Sequence, residues 1–136
     1  RITRSAPDGA FTVSEQWKTT RMKTKFSSPA ILGDHAYGLD EGRLACIELT
    51  TGRRVWKKEK FGFGQQLLFG DRLIVQTEAG DIVIGRISPE KFQEEGRLAA
   101  LSSMTWNTPA VAGRYLLARN DREAVCYLLP AKVPTP

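Results

Sequence analysis

Few side chains in this 136-residue chain are of types that do chemistry, and their spacing argues against most of it. The single histidine, His35, follows a Gly33-Asp34 turn. One imidazole supplies neither a multi-histidine metal site nor, without a nucleophile and an acid brought to it, a catalytic triad. It reads as a surface residue. The two cysteines, Cys46 and Cys126, each stand four residues after a turn residue, Gly42 and Arg122, and Ile84 holds the same position between them. A position shared with isoleucine is apolar, so both thiols are expected to be buried and structural. Equivalent positions two units apart exceed the roughly 7 Å between Cα atoms that a disulfide can span. Gly62-Phe63-Gly64 opens like a dinucleotide loop, but Leu67 stands where its third glycine belongs and no helical pattern follows. Catalytic residues, metal ligands and cofactors are all read as none. The chemistry left to the chain is hydrogen bonding and ion pairing, which suit binding.

A repeat positions these residues. Three segments align, beginning at Ser27, Gln65 and Asn107, with Gly33, Gly70 and Gly113 marking the same turn. Each glycine lies between two short apolar runs, a hairpin signal. A second turn follows in each unit, at Asp40-Glu41-Gly42, Glu78-Ala79-Gly80 and Asn120-Asp121-Arg122, and then a third run, Leu44–Leu49, Ile82–Ile87 and Ala124–Leu129. A fourth strand closes the first unit after Thr50-Thr51-Gly52 and carries Val55 and Trp56. In the second unit it carries Phe92 and Leu98; a short helix over 88–101 is the alternative, since Pro89 and a Glu-rich run suit one. Ahead of the first unit, a Pro7-Asp8-Gly9 turn and a fourth strand over Phe11–Lys18 with Trp17 are expected. Four-stranded antiparallel units of about 40 residues predict an all-β fold of about three propeller blades. The divisions are 1–26 (end of a preceding blade), 27–60, 61–101 and 102–136 (strands A to C of a final blade and a tail). Two blades are complete and the end pieces complement each other. A piece of a longer propeller is the first reading and self-assembly of short chains the second.

Composition narrows the partners. The chain is 41% hydrophobic and 26% charged, which excludes disorder. Its longest apolar run, Ala124–Leu129, is far short of the roughly 20 residues of a membrane span. No basic-then-apolar leader opens the chain, which starts at Arg1. The net charge of +5 sits in the first half, in Lys18, Arg21, Lys23 and Lys25 and in Arg53, Arg54, Lys57, Lys58 and Lys60. A nucleic-acid module would interleave aromatics with such a patch or show a groove-reading motif. The sequence shows neither, so nucleic acid ranks last among the partners.

The stretch Cys46-Ile47-Glu48-Leu49-Thr50-Thr51-Gly52-Arg53-Arg54-Val55-Trp56 resembles the pyrroloquinoline-quinone-type propeller repeat, A-x-D-x-x-T-G-x-x-x-W. Met22–Pro29 and Tyr37–Gly42 also look like the C-terminal part of bacterial proteins with this repeat. The resemblance implies a propeller, and it implies a periplasmic or secreted location. Quinoprotein dehydrogenases of that family hold their quinone with a vicinal disulfide and Ca²⁺ on Glu, Asn and Asp, and this chain has no adjacent cysteines. The same repeat serves without cofactor in the lipoprotein of the outer-membrane β-barrel assembly machinery. A non-catalytic binding or assembly scaffold is therefore the leading expectation, a fragment of a quinoprotein dehydrogenase the alternative, and a basic nucleic-acid module the second alternative.

In a blade whose strands A to D run outward from the axis, the D-to-A connections and B-to-C turns share one face. That face is expected to gather Arg21, Lys23, Lys25, Asp40, Glu41, Gln65, Glu78, Trp106, Asn107, Arg119 and Asn120 at the mouth of a central channel. Ser27, Gln65 and Asn107 are read as one repeat position, at the start of strand A. A protein, a peptide or a small polar ligand is expected there.

Overall fold

A computed structural model describes residues 1–4 and 9–130. Thirteen strands and no helix are present among them, in four antiparallel sheets. The first blade is β3 (Ala30–Leu32), β4 (His35–Asp40), β5 (Arg43–Glu48) and β6 (Arg54–Lys60); the second is β7 (Gln65–Phe69), β8 (Arg72–Gln76), β9 (Asp81–Ile87) and β10 (Phe92–Ala99). Both are simple meanders. The third sheet holds β11 (Ala110–Ala112), β12 (Tyr115–Arg119) and β13 (Ala124–Leu128), and a separate hairpin pairs β1 (Ile2–Arg4) with β2 (Phe11–Val13). The chain is thus all-β and built of propeller-like blades.

Turn chemistry sets the meander. Gly33-Asp34, Gly70-Asp71 and Gly113-Arg114 are two-residue loops, closing on the pairs Leu32–His35, Phe69–Arg72 and Ala112–Tyr115. Each glycine has positive φ, which matches the right-handed twist of the strands it joins. The 92–99 segment is a strand. Its register slips between Glu94 and Gly96, leaving Glu95 bulged, where its carboxylate meets Arg72 at 2.7 Å.

The core lies between sheets. Tyr37, Leu39, Leu44, Cys46 and Trp56 of the first blade meet Leu73, Val75, Val83, Ile87 and Phe92 of the second, with Phe61 from the connection. Ile74 and Ile82 of the second blade, with Leu101, meet Leu116 and Ala118 of the third. The middle strands of the two complete blades are consequently buried on both faces, and their sequences run almost continuously apolar.

The tryptophan of the repeat ties blades together. Trp56 lies 6.0 Å from Tyr37 in its own blade and donates its indole N–H to the Ser88 carbonyl in the next (3.3 Å). Trp17 donates to the Leu49 carbonyl at the matching place in the first blade (2.6 Å). A strand over Phe11–Lys18 is nevertheless not what forms. Only Phe11–Val13 is extended and paired, with β1, and Trp17 reaches its acceptor from the irregular segment beyond. Pro7 and Asp8 of the expected turn lie outside the described residues. The Trp17 ring also packs close on Gly52: a Cβ there would stand 2.6 Å from it.

Cys46 is buried, and burial pushes its thiol up to about 11, as expected of a structural cysteine. Cys126 departs from that expectation and is exposed. The position is equivalent, but among the described residues no further sheet lies against β13.

Gly33 and Gly52 have nearly the same φ, +58° and +68°, and differ in what surrounds them: open space at Gly33, the Trp17 ring at Gly52. Gly33→Ala is expected to cost about 1 kcal/mol for the left-handed backbone alone. Gly52→Ala is expected to cost about 1–3 kcal/mol more, for displacing the ring. Urea unfolding at one fixed protein concentration measures both; equal losses would remove Trp17 from the account.

Candidate functional site

One face carries a chain of hydrogen bonds that crosses from blade to blade. The connections between the first and second blades and between the second and third are each bonded to the B-to-C turns of both blades they join, and the segment leading into the first blade is bonded to that blade's turn. The Glu41 N–H donates to the Lys23 carbonyl, and the Phe61 N–H to Gly42. The Glu78 N–H donates to Phe61, and the Ala100 and Leu101 N–H groups share the Gly80 carbonyl. The Thr105 N–H returns to Glu78, and the Ser102 N–H and hydroxyl donate to the Glu123 carboxylate at 2.6 Å. The connections and turns assigned to one face from the sequence therefore do share it.

At the first-blade end, a charge cluster forms. Asp40 is buried, and its oxygens accept from the Lys23 N–H (2.8 Å), Lys57 Nζ (2.7 Å) and Arg54 (3.2 Å). It is fully occupied in holding strands, so it does not offer its carboxylate at the mouth as expected. Glu41 is exposed and bonded to Lys23 Nζ at 2.7 Å. Its φ of 51° makes it the one non-glycine residue with positive φ among those described, in a tight turn with Gly42. Arg21 is exposed beside this cluster, its backbone N–H bonded to the Thr19 hydroxyl.

Further along the face two aromatic rings meet, and a third residue, Phe63, is tied to them through Lys25 and Glu78. The Phe26 and Trp106 rings lie 6.0 Å apart, and Lys25 Nζ stands 4.4 Å from the centre of the Phe63 ring. Glu78 joins them: one carboxylate oxygen accepts from the Trp106 indole (3.0 Å), the other from the Phe63 backbone N–H (3.1 Å). Gln65 anchors the floor, donating to the Phe26 carbonyl (2.7 Å) and accepting from the Thr108 hydroxyl (3.2 Å). Phe26 is 64% exposed and Trp106 52% exposed. On the other side of Glu78 an open cleft of about 560 Å³ is lined by Lys60, Phe61, Asp81, Arg97 and Met104.

Ser27, Gln65 and Asn107 do not share a repeat position. Hairpin pairing aligns Gln65 with Ser28 and Thr108, because each lies five positions before its turn glycine. Gln65 lies within β7, whereas Ser27 and Asn107 precede β3 and β11 by three residues. The Asn107 carbonyl accepts from Gln76 Nε2 (2.9 Å), which also donates to the Arg119 carbonyl (3.0 Å). Asn120 is buried and serves its own turn, accepting from the Arg122 and Glu123 N–H groups. Phe26 and Phe63 are the members that sequence reasoning missed. They come together through connections 37 residues apart, and only the proximity of Phe63 to two glycines hinted at a special place.

Cys46 and Cys126 lie on strands of sheets separated by the second blade, so they are not the vicinal pair that holds a quinone. Among the described residues no three His, Cys, Asp or Glu side chains gather as metal ligands.

No protein-family model matches the chain, and no curated protein matches it. Among solved structures it is similar to the crystal structure of the computationally designed Ika4 protein, at 6% identity and a TM-score of 0.48, over 80% of this chain and 100% of that one. It is also similar to the computationally designed Ika8 protein, at 7% identity and a TM-score of 0.39, over 76% of this chain and 45% of that one.

Burial alone would raise the pKa of Asp40, but the Lys57 hydrogen bond, the Lys23 N–H and the Lys57 and Arg54 charges outweigh it and hold the carboxyl below its ordinary value. A carboxyl so depressed contributes stability above its unfolded pKa, about 3.9, and loses it as pH falls through and below that value. Thermal unfolding is expected to show a steep loss of stability below about pH 4. Asp40→Asn is expected to lower stability at pH 7 by about 2 kcal/mol and to flatten that acid limb.

Proposed function

We propose that the chain is a non-catalytic binding scaffold, whose partner is a protein, a peptide or a small polar ligand seated on the Phe26–Phe63–Trp106 cluster. The observation that carries this reading is the exposure of Phe26 and Trp106 on a face otherwise stitched together by hydrogen bonds. Aromatic side chains held by packing and a carboxylate lose little freedom on binding, and such residues dominate interface energetics. Lys25 on one side and Glu78 on the other give the cluster donors and an acceptor with which to orient a polar backbone. The repeat resemblance supports a scaffold of the pyrroloquinoline-quinone-type propeller class, and with it a periplasmic or secreted setting. A degenerate quinoprotein enzyme is the weaker reading, since the cysteine pair for the quinone is lacking.

A second reading gains from the same cluster. Exposed aromatic rings with Lys25 among them are what a single-stranded nucleic acid needs, and the linear sequence concealed that juxtaposition. Salt separates the two. Nucleic-acid affinity falls steeply with ionic strength, whereas binding of an uncharged peptide does not.

Peptides selected on the immobilised protein, and a single-stranded oligonucleotide, should be titrated against tryptophan fluorescence at low and high salt. Trp106→Ala is expected to weaken peptide binding at least about tenfold, since exposed anchors of this kind carry most of an interface's energy. Its melting temperature should stay within about 2 °C, as for a surface substitution. Peptide binding that survives the substitution would place the site elsewhere.

A further inference from the structure

We propose that the outer face of the third sheet is a docking surface for a second copy of this chain, which seats its Trp17 end there. The sheet is buried on one face only. Along β12 and β13 every second residue packs on the second blade, while Tyr115, Leu117, Cys126 and Leu128 point away from it and are exposed. A sheet face meant for water alternates to polar residues, and along β12 and β13 this one carries a single charged residue, Arg119. Ladder pairing identifies it: Leu117–Cys126 occupies the position of Tyr37–Cys46 and Ile74–Ile84. In the complete blades those pairs face the following blade.

The chain's other end carries the complementary half. Trp56 faces Cys46 across the ladder, lies against Tyr37, and donates to the blade that follows. Trp17 makes the same donation, to Leu49, yet no sheet among the described residues stands to it as Tyr37 and Cys46 stand to Trp56. The residues at those positions in the unfinished sheet are Leu117 and Cys126. Ile2, Phe11 and Val13 of the β1–β2 hairpin are 70%, 70% and 76% exposed, so the same end offers both apolar surface and strands to lie beyond β13.

Blade arithmetic admits this occupant. The described residues supply three blade sheets. Two copies joined head to tail supply six, inside the range of about four to eight with which propellers close, and three copies overshoot it. Two equal head-to-tail junctions related by a two-fold axis form a closed dimer.

Light scattering after size-exclusion chromatography, from about 1 to about 300 µM, tests the proposal together with maleimide labelling of Cys126. The expected result is twice the mass of one chain, with Cys126 labelling slowed at least about tenfold as the dimer fills. Trp17→Ala and Leu117→Asp should each give a monomer with native circular dichroism and fast labelling. Mixing the two variants should restore one junction, and with it a weaker dimer, because each supplies the half the other lacks. Trp17→Phe, which keeps the ring but not the N–H, should retain dimerisation if packing dominates. A wild-type chain that stays monomeric throughout, aggregates without a defined mass, or dimerises equally well as Leu117→Asp would overturn the proposal. Monomeric behaviour would assign the face instead to further blades of a longer chain.

Discussion

Within each blade the ladder satisfies the backbone of the middle strands, so nothing in a sheet's own hydrogen bonding says where the next sheet should stand. Relative blade placement has to come from elsewhere. The Gln66 and Gln76 amides reach carbonyls of the neighbouring blades, at Tyr37 and Arg119, and two further sets of bonds lie at opposite ends of the strands. One is the run of N–H to carbonyl bonds linking connections and turns, from Lys23–Glu41 through Phe61 and Gly80 to Thr105. The other is the tryptophan N–H, from Trp17 to Leu49 and from Trp56 to Ser88. The apolar cores fill the space between, and they are non-directional. The direction resides in these bonds, and the candidate site inherits its rigidity from them: Glu78 is at once a link of that run and the support for the Trp106 indole.

The repeat was legible because turn chemistry is local. A glycine needing positive φ between two apolar runs announces itself in any unit, and Gly33, Gly70 and Gly113 did so despite unequal spacing. The Ser27–Gln65–Asn107 alignment failed because Ser27 and Asn107 lie six residues before their turn glycines and Gln65 only five, and the ladder keeps register with the glycine. Asp40 was misplaced for a different reason. A turn aspartate looks solvated in sequence, and only the approach of Lys57 and Arg54 on β6 shows that it is interior. Trp17 kept its function without its strand, since the indole bond requires the right distance and not a ladder.

Charge counting misled in the same way. The basic cluster at 53–60 looks like a surface patch, yet Arg54 and Lys57 turn inward to the buried carboxylate of Asp40. Lys23 is bonded to Glu41, while Lys25 lies over a ring. The half of the chain with the excess charge thus uses much of it internally. The aromatic residues show the converse: Phe26, Phe63 and Trp106 are ordinary alone and share one face only because successive D-to-A connections lie side by side.

The A-to-B turns differ from everything else at the blade ends. At Gly33, Gly70 and Gly113 an added Cβ would meet nothing within 4 Å, and none of the bonds linking one blade to the next begins or ends at these glycines. Such tips are where a chain can be lengthened with little thermodynamic penalty, since closing a longer loop costs only about 0.6 kcal/mol per doubling. They are the natural grafting points of this architecture. A tag, an epitope or a whole inserted module placed there would leave both the blade-to-blade bonds and the aromatic residues untouched, so the chain can diversify on one side while the proposed binding face stays fixed on the other.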